Sequence, residues 1–445
     1  MTTTEHATTP DLWPAPTATE PIDAVVAVPG SKSASNRALI LAAIADGPST
    51  ITGLLDARDT QLMMAGLRLL GNEVHVVDRD LVGNVTVEVT PHFMRGPATI
   101  DVGLAGTVMR FLPPMACLAH GEITFDGDAH SRRRPMATVI ESLKDLGVTI
   151  HDRGTGRLPF TIEATGEVTG GEVFVDASRS SQFISGLLIS AARFNAGVTV
   201  HHVGNPIPSM PHIQMTIAML AEQGIPVRYD GDSVWHVDPQ AVAALDRHIE
   251  PDLSNAAPFL AAAMITGGRV TIPDWPMRTT QAGDGLRDLL ARMGADVART
   301  PEGLAVSGGG TITGIDADLS DVGELVPTLT AIAAFASTPS RFRGIPHLRG
   351  HETDRLAALA AEITSLGGDV TETPDGLIIQ PRPLAGGRFR TYGDHRMATA
   401  GALLGLRVAG IEVEDIATTG KTIPDFDRRW HDMIAGSAQR SAPTA

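Results

Sequence analysis

Cysteine is almost absent from this chain. Among 445 residues only Cys117 occurs, so no internal disulfide can form, and its place between Met115 and Leu118 in an apolar helical run reads as a buried thiol, not a nucleophile. Positive charge is scarce: 35 Lys and Arg stand against 51 Asp and Glu, a net charge of −16. That balance argues against nucleic acid or a membrane surface as partner, because both demand a basic face. Any anionic ligand has to be held by a local pocket of cations. Long apolar runs are missing too, and none approaches the roughly 18 to 20 residues of a membrane span. The stretch from Met1 to Glu20 is rich in Thr, Pro and Ala and lacks the basic start and apolar centre of a signal peptide, so a flexible tail over 1–11 and a cytoplasmic location are expected. No His/Cys/Asp spacing typical of a zinc site is present, and no metal or organic cofactor is expected.

What is present is a globular composition, 43% hydrophobic and 19% charged, with length for two or three domains at roughly 150 residues each. An internal repeat organises it. A helix end, a glycine and a strand recur around Gly71, Gly147, Gly224, Gly294 and Gly367, at intervals of 70 to 77 positions. Glycine caps helices in the left-handed region, so the recurrence has a structural cause. A sixth member is the terminal helix Arg428 to Ile434 with Gly436. Interleaved Ala/Leu-rich helices end near Gly47, Gly121, Gly197, Gly268, Ser340 and Gly410, each followed by a β-prone run. Each unit therefore reads as an α/β layer that needs neighbours to bury its helices. Three units make a domain. The charged, proline-bearing stretch 246–251 and Pro29-Gly30 mark the crossings between them. The expected division is 29–248 for one domain and 12–28 plus 249–436 for the other, with a flexible tail at 437–445.

Chemistry gathers at the helix mouths. Pro29-Gly30-Ser31-Lys32-Ser33 breaks a valine-rich strand and opens a helix, which suits an anion. It is not a P-loop, since Ser31 precedes the lysine and Val26 stands where the first glycine belongs. Ser, Thr, Asp and Asn at such positions are ordinary caps. Cations are not: Lys32, Arg134, Arg396 and Lys421 at helix N-termini are each opposed by the macrodipole by roughly 0.3 to 1 kcal/mol, and an anionic ligand would offset that. Glu324 and Glu352 lie at two further mouths, and among these cations they are candidate proton-transfer groups.

Seven segments, in order and spread across about residues 12 to 435, resemble the 5-enolpyruvylshikimate-3-phosphate synthase family. They are Pro29 to Arg37, Leu104 to Arg110, Arg134-Pro135, Ser180 to Phe183, His351 to Leu356, Asp394 to Met397, and Lys421-Thr422. The resemblance implies an α/β fold of two similar domains, each of three βαβαββ units (an inside-out α/β barrel), with the active site in the interdomain cleft. It implies transfer of enolpyruvyl from phosphoenolpyruvate to shikimate 3-phosphate, with no cofactor or metal and with a monomeric enzyme acting on two small molecules. On shikimate 3-phosphate it places Lys32, Ser33, Arg37, Ser180, Ser181, Gln182, Ser209, Glu324 and His351. On phosphoenolpyruvate it places Lys32, Gly106, Arg134, Gln182, Arg355, Arg396 and Lys421. The catalytic set is Glu324 at the substrate hydroxyl and Glu352 at the methylene carbon, with Lys32 or Lys421 assisting.

Four positions depart from the family's common pattern. Glu324 replaces an aspartate and His351 a lysine, so a ligand contact is expected to weaken as pH rises through the imidazole range. Phe111 replaces a proline and His212 a tyrosine. Gly106 is retained, which implies glyphosate sensitivity. Two rivals exist. The sister enzymes that act on UDP-N-acetylglucosamine often carry a reactive cysteine before the Arg-Pro pair, whereas 129–133 contains none here. A non-catalytic phosphoanion-binding protein would need neither Glu324 nor Glu352.

Overall fold

The computed structural model describes residues 11–231 and 233–441; the first ten residues of the expected N-terminal tail and positions 442–445 lie outside them. Helices and small mixed sheets alternate in six units. In a complete unit a lead strand pairs in parallel with the strand that follows the first helix, and the hairpin after the second helix adds two antiparallel strands. The paired helices are α1 (Lys32–Ala43) and α2 (Arg58–Leu69), α3 (Gly106–Ala116) and α4 (Ala137–Asp145), and α5 (Gln182–Ala191) and α6 (Pro211–Glu222). The remaining units carry α7 (Leu253–Thr266) with α8 (Leu286–Arg292), α9 (Val326–Ala333) with α10 (Arg355–Ser365), and α11 (His395–Gly405) with α12 (Phe426–Ser441).

The first helix of each unit is apolar nearly all round, which makes it a core helix and not a surface one. Accordingly α1, α3 and α5 pack on one another, and α7, α9 and α11 do likewise. Two separate hydrophobic clusters result. One draws only on residues from Ala38 to Ile249; the other joins Ala15, Ile22, Ala24, Val26 and Val28 to residues from Leu253 onward. Sheet pairing divides the chain the same way. Arg247–His248 returns to pair with Ser49–Leu54, while Asp23–Val25 pairs with Arg269–Pro273 and Leu12–Pro14 with Ile411–Glu414. The two connecting segments run side by side, with Gly30 bridged to Pro251 and Ser31 N–H donating to the Glu250 carbonyl at 2.8 Å. Only glycine fits at position 30, where a Cβ would meet the Gly53 carbonyl oxygen at 2.1 Å.

The repeat glycines behave as capping requires: Gly71, Gly147, Gly224, Gly294 and Gly367 all take positive φ, between 80° and 111°. Elsewhere the local expectation shifts. Gly267, not Gly268, is the left-handed cap of α7, and Gly268 is needed because a Cβ there would lie 2.0 Å from the Ile22 carbonyl oxygen. Helix α12 runs through Gly436 to Ser441, so residues 437–441 of the expected tail are helical. An exposed glycine inside a helix costs only about 1 kcal/mol and need not end it.

Candidate active site

The N-termini of the core helices from both halves converge on one cleft of about 1060 Å³. On the first half, Ser31 caps α1, accepting from Ala34 N–H, and Lys32 reaches Asp59 of α2 at 3.2 Å. Burial disfavours the Lys32 charge, but Asp59 and Glu352 outweigh it and hold the ammonium above the ordinary lysine value. One turn into α3, Arg110 Nη1 donates to the Gly106 carbonyl at 3.3 Å. Beside it Arg134, placed by the short 3₁₀ turn Ser131–Arg133, donates to the Leu104 carbonyl at 3.1 Å. The Nε of each arginine is buried with no hydrogen-bond partner in the protein. Burial pushes both guanidiniums down, Arg110 further because the Arg134 charge adds to it. Two adjacent cations with unused donors form an anion receptor. Gly106 is its floor: a Cβ would come within 3.1 Å of Arg110 Nη1, 3.3 Å of Gln182 Oε1 and 3.5 Å of Arg134 Nη2.

The second half supplies acids and imidazoles. Glu352, in the loop before α10, accepts from Lys421 Nζ at 3.2 Å and from His395 Nδ1 at 3.1 Å. Burial works against its ionised form, and His395, Lys421 and Lys32 outweigh burial to hold the carboxyl well below the usual range. Burial pushes the His395 imidazole down, against the opposing pull of Glu352. Glu324, in the turn leading into α9, is likewise buried yet held well below the carboxylate range, chiefly by His212 and Arg396. Its Oε1 lies 3.1 Å from His212 Nε2 across the cleft. At the mouth of α11, Asp394 takes a fully buried two-pronged contact from Arg355, at 2.8 and 3.2 Å. Arg396 donates to the Ser254 carbonyl at 3.4 Å.

Of the residues expected in the site, Lys32, Ser33, Gly106, Arg134, Ser180, Gln182, Glu324, His351, Glu352, Arg355 and Arg396 line this cleft. Four do not. Ser181 is buried behind Ser180 at the α5 mouth. Ser209, at a φ of 56°, ties its N–H to the Ser320 carbonyl of the other half at 2.9 Å. Lys421 sits behind Glu352, bonded also to the Gly393 carbonyl at 2.6 Å. Arg37, 1% exposed, turns away from the cleft: its Nε bonds Thr216, its Nη1 the Ser33 carbonyl and one Nη2 the His212 carbonyl, and its plane lies 4.8 Å over the Phe111 ring. Phe111 is thus a core residue under Arg37, not part of the pocket wall.

The expected weakening at His351 with rising pH does not follow. Burial and the Arg355 charge push the imidazole well below its ordinary value, and Arg355 Nη1 donates to Nδ1 at 3.3 Å. His351 is therefore already neutral and offers Nε2–H across the neutral range. Asp59, Arg110, Asp394 and His395 also belong to this site, and the sequence alone marks no role for them. A signal for Arg110 existed, since it stands four residues after Gly106 and so shares its helix face. Among the described residues, Glu352, Asp394 and His395 have ligand atoms near enough to hold a metal ion. Each carboxylate is already matched to a fixed cation, Lys421 or Arg355, so the donor set fits an ion-pair network better than a metal cage. Cys117 is buried, its thiol pushed up by burial. No helix among the described residues is long and apolar enough to cross a membrane.

A family model for EPSP synthase (3-phosphoshikimate 1-carboxyvinyltransferase) matches residues 16–430. A 3-phosphoshikimate 1-carboxyvinyltransferase of Kocuria rhizophila is 52% identical over 430 residues, covering 95% of this chain and 97% of its own. Among solved structures, an EPSP synthase from Acinetobacter baumannii superposes with a TM-score of 0.78 at 25% identity, over 96% of this chain and 97% of that one. The enolpyruvyl transferase NikO from Streptomyces tendae shares the fold, with a TM-score of 0.70 at 17% identity over 94% and 96% of the two chains.

Proposed function

The chain belongs to the EPSP synthase (3-phosphoshikimate 1-carboxyvinyltransferase) family, and from that premise we propose how its cleft works. The protein is a 3-phosphoshikimate 1-carboxyvinyltransferase: it transfers the enolpyruvyl group of phosphoenolpyruvate to the 5-hydroxyl of shikimate 3-phosphate, releasing phosphate, in aromatic amino-acid biosynthesis. The two hydrophobic clusters are the cores of two domains, one formed by 29–248 and the other by 12–28 with 249–436, which close over the substrates. The enzyme acts as a cytoplasmic monomer on these two small molecules.

Phosphoenolpyruvate occupies the receptor made by Gly106, Arg134, Gln182 and Lys32 on one side and Arg355 and Arg396 on the other, with Lys421 adding its charge from behind Glu352. Arg110 joins that set through its unused donor. Shikimate 3-phosphate lies against Ser33, Ser180 and Gln182, with Ser181 and Ser209 supporting that wall from behind and Glu324 and His351 facing its hydroxyls. Arg37 supports this subsite from beneath. Glu324, ionised and with Oε2 free of any protein partner, takes the proton of the 5-hydroxyl as that oxygen attacks the enol carbon. Glu352 and Lys421 deliver the proton to the methylene carbon. The charge of bound phosphoenolpyruvate raises the proton affinity of Glu352 and lets the pair act as an acid. The tetrahedral adduct then loses a methyl proton and phosphate. Water is excluded because both halves close over one small volume, which strengthens each ionic contact.

The observation that carries this reading is the convergence of unspent arginine donors and two ionised carboxylates from opposite halves on one cleft. The test is phosphate release from phosphoenolpyruvate with and without shikimate 3-phosphate. Release only with both substrates is expected; release that ignores shikimate 3-phosphate, or none at all, would refute the assignment.

A further inference from the structure

Glu324 is served from the other half of the molecule. His212, in the first turn of α6, brings Nε2 to 3.1 Å from Glu324 Oε1, and both side chains are largely buried. The second carboxylate oxygen, Oε2, is buried without a protein partner. His212 is itself held in place. Its carbonyl accepts from Arg37 Nη2 at 3.0 Å, from Thr216 Oγ1 at 3.0 Å and from Ser185 Oγ at 3.4 Å. Three bonds pin the backbone from which the imidazole projects, and they account for a buried Arg37 that does not line the cleft. Close by, the Ser209 N–H to Ser320 carbonyl bond also crosses between the halves.

We propose that His212 is a positioning residue that completes the general base only on closure. Its Nε2–H holds Oε1 and leaves Oε2 aimed at the substrate hydroxyl. The contact joins two halves, so it exists only when they meet, and an open cleft leaves Glu324 without its orienting donor. This inference rests on the functional reading above. The other charged or titratable groups around Glu324 are Arg396 of α11, Arg355 of α10, and His347 and His351 of the preceding loop. All belong to the same half as Glu324 and stay with it when the cleft opens. His212 alone comes and goes.

The sign of the effect is fixed by the chemistry. Glu324 works as a base only when ionised, so activity falls as pH drops through its value, and removing a donor to the carboxylate moves that fall to higher pH. The test measures phosphate release against pH for the unaltered chain, H212F and H212Y, with the same substitutions repeated on E324Q. H212F is expected to lose about tenfold in kcat with KM for shikimate 3-phosphate little changed, and to shift the acidic limb up by about one pH unit. H212Y, which restores a donor, is expected to recover most of both. On E324Q, H212F is expected to change kcat by less than about twofold. An unmoved acidic limb in H212F, or a tenfold loss repeated in full on E324Q, would overturn the inference while leaving the functional reading intact. An inactive unaltered chain would overturn both.

Discussion

The two walls of the cleft are built from the same repeat yet carry opposite chemistry. The first half presents cations with unspent donors: Arg110 and Arg134 side by side, with only Lys32 matched to an acid, Asp59. On the second half two of the cleft's cations are consumed, while Arg396 bonds the Ser254 carbonyl. Arg355 is locked to Asp394 and Lys421 to Glu352, and three histidines surround the carboxylates. A helix mouth is neutral ground, ready for an anion by its dipole whatever else it carries. Side chains decide whether that readiness is kept for a ligand or taken up by the protein's own acids. The first wall mainly binds, and the second shares in binding through Arg355 and Arg396 and also moves protons.

The sharpest way to break this division is to neutralise the carboxylates. E324Q and E352Q are each expected to lower kcat about 10²- to 10⁴-fold, with substrate affinity in calorimetric titration nearly unchanged. A loss appearing mainly in affinity would erase the distinction. Second in size is the buried pair. D394N leaves Arg355 uncompensated and is expected to cost about 3–5 kcal/mol in denaturant unfolding. D59N, beside the more accessible Lys32, should cost less. On the binding wall, R110M and R134M are each expected to weaken phosphoenolpyruvate by about 1.5–3 kcal/mol, seen as a raised KM at largely retained kcat.

Acid should find the second wall first. His347, His351 and His395 are held below the ordinary imidazole value by burial, so the unfolded chain binds more protons than the folded one below about pH 6.5. The stability they contribute is complete above that value and is lost as pH falls. Glu324 and Glu352 are depressed as well and add their loss only further down, below about pH 4.5. Hydrogen exchange at decreasing pH is expected to release α9 to α11 before α1 to α5; simultaneous loss would count against the asymmetry. The smallest expected effect is at Gly106, where the Cβ of G106A enters the 3.1–3.5 Å shell of Arg110, Gln182 and Arg134. Side-chain tips can give by a few tenths of an ångström, so KM for phosphoenolpyruvate should rise about tenfold at most, with weaker inhibition by glyphosate.

Much of this was legible in the sequence, and for definite reasons. The left-handed glycines announce the repeat because no other residue takes that conformation cheaply, and all five in the main series do so. Cations at helix mouths announce the anion because the dipole opposes them. What could not be read was rotation and partner. Nothing in Ser33 to Arg37 says that Arg37 points to α6 and not to the cleft, since that depends on how α1 seats against α5 and α6. The neutrality of His351 was hidden for the same reason: its burial and the Arg355 contact are tertiary facts. His212 stood out only as a departure from a tyrosine, and its carboxylate partner lies 112 positions away.

The paired crossing at Gly30 and Pro251 has a consequence for how the molecule is made. A ribosome delivers residues 12–25 first, yet their strand partners, Arg269–Pro273 and Ile411–Glu414, leave the exit tunnel only later. Meanwhile the stretch from Ala38 to Ile249 holds a complete hydrophobic cluster, and its first sheet is sealed by Arg247–His248 once that segment emerges. Synthesis therefore allows a guest to fold inside a host that is still unfinished. Strands made before the guest are paired only after it.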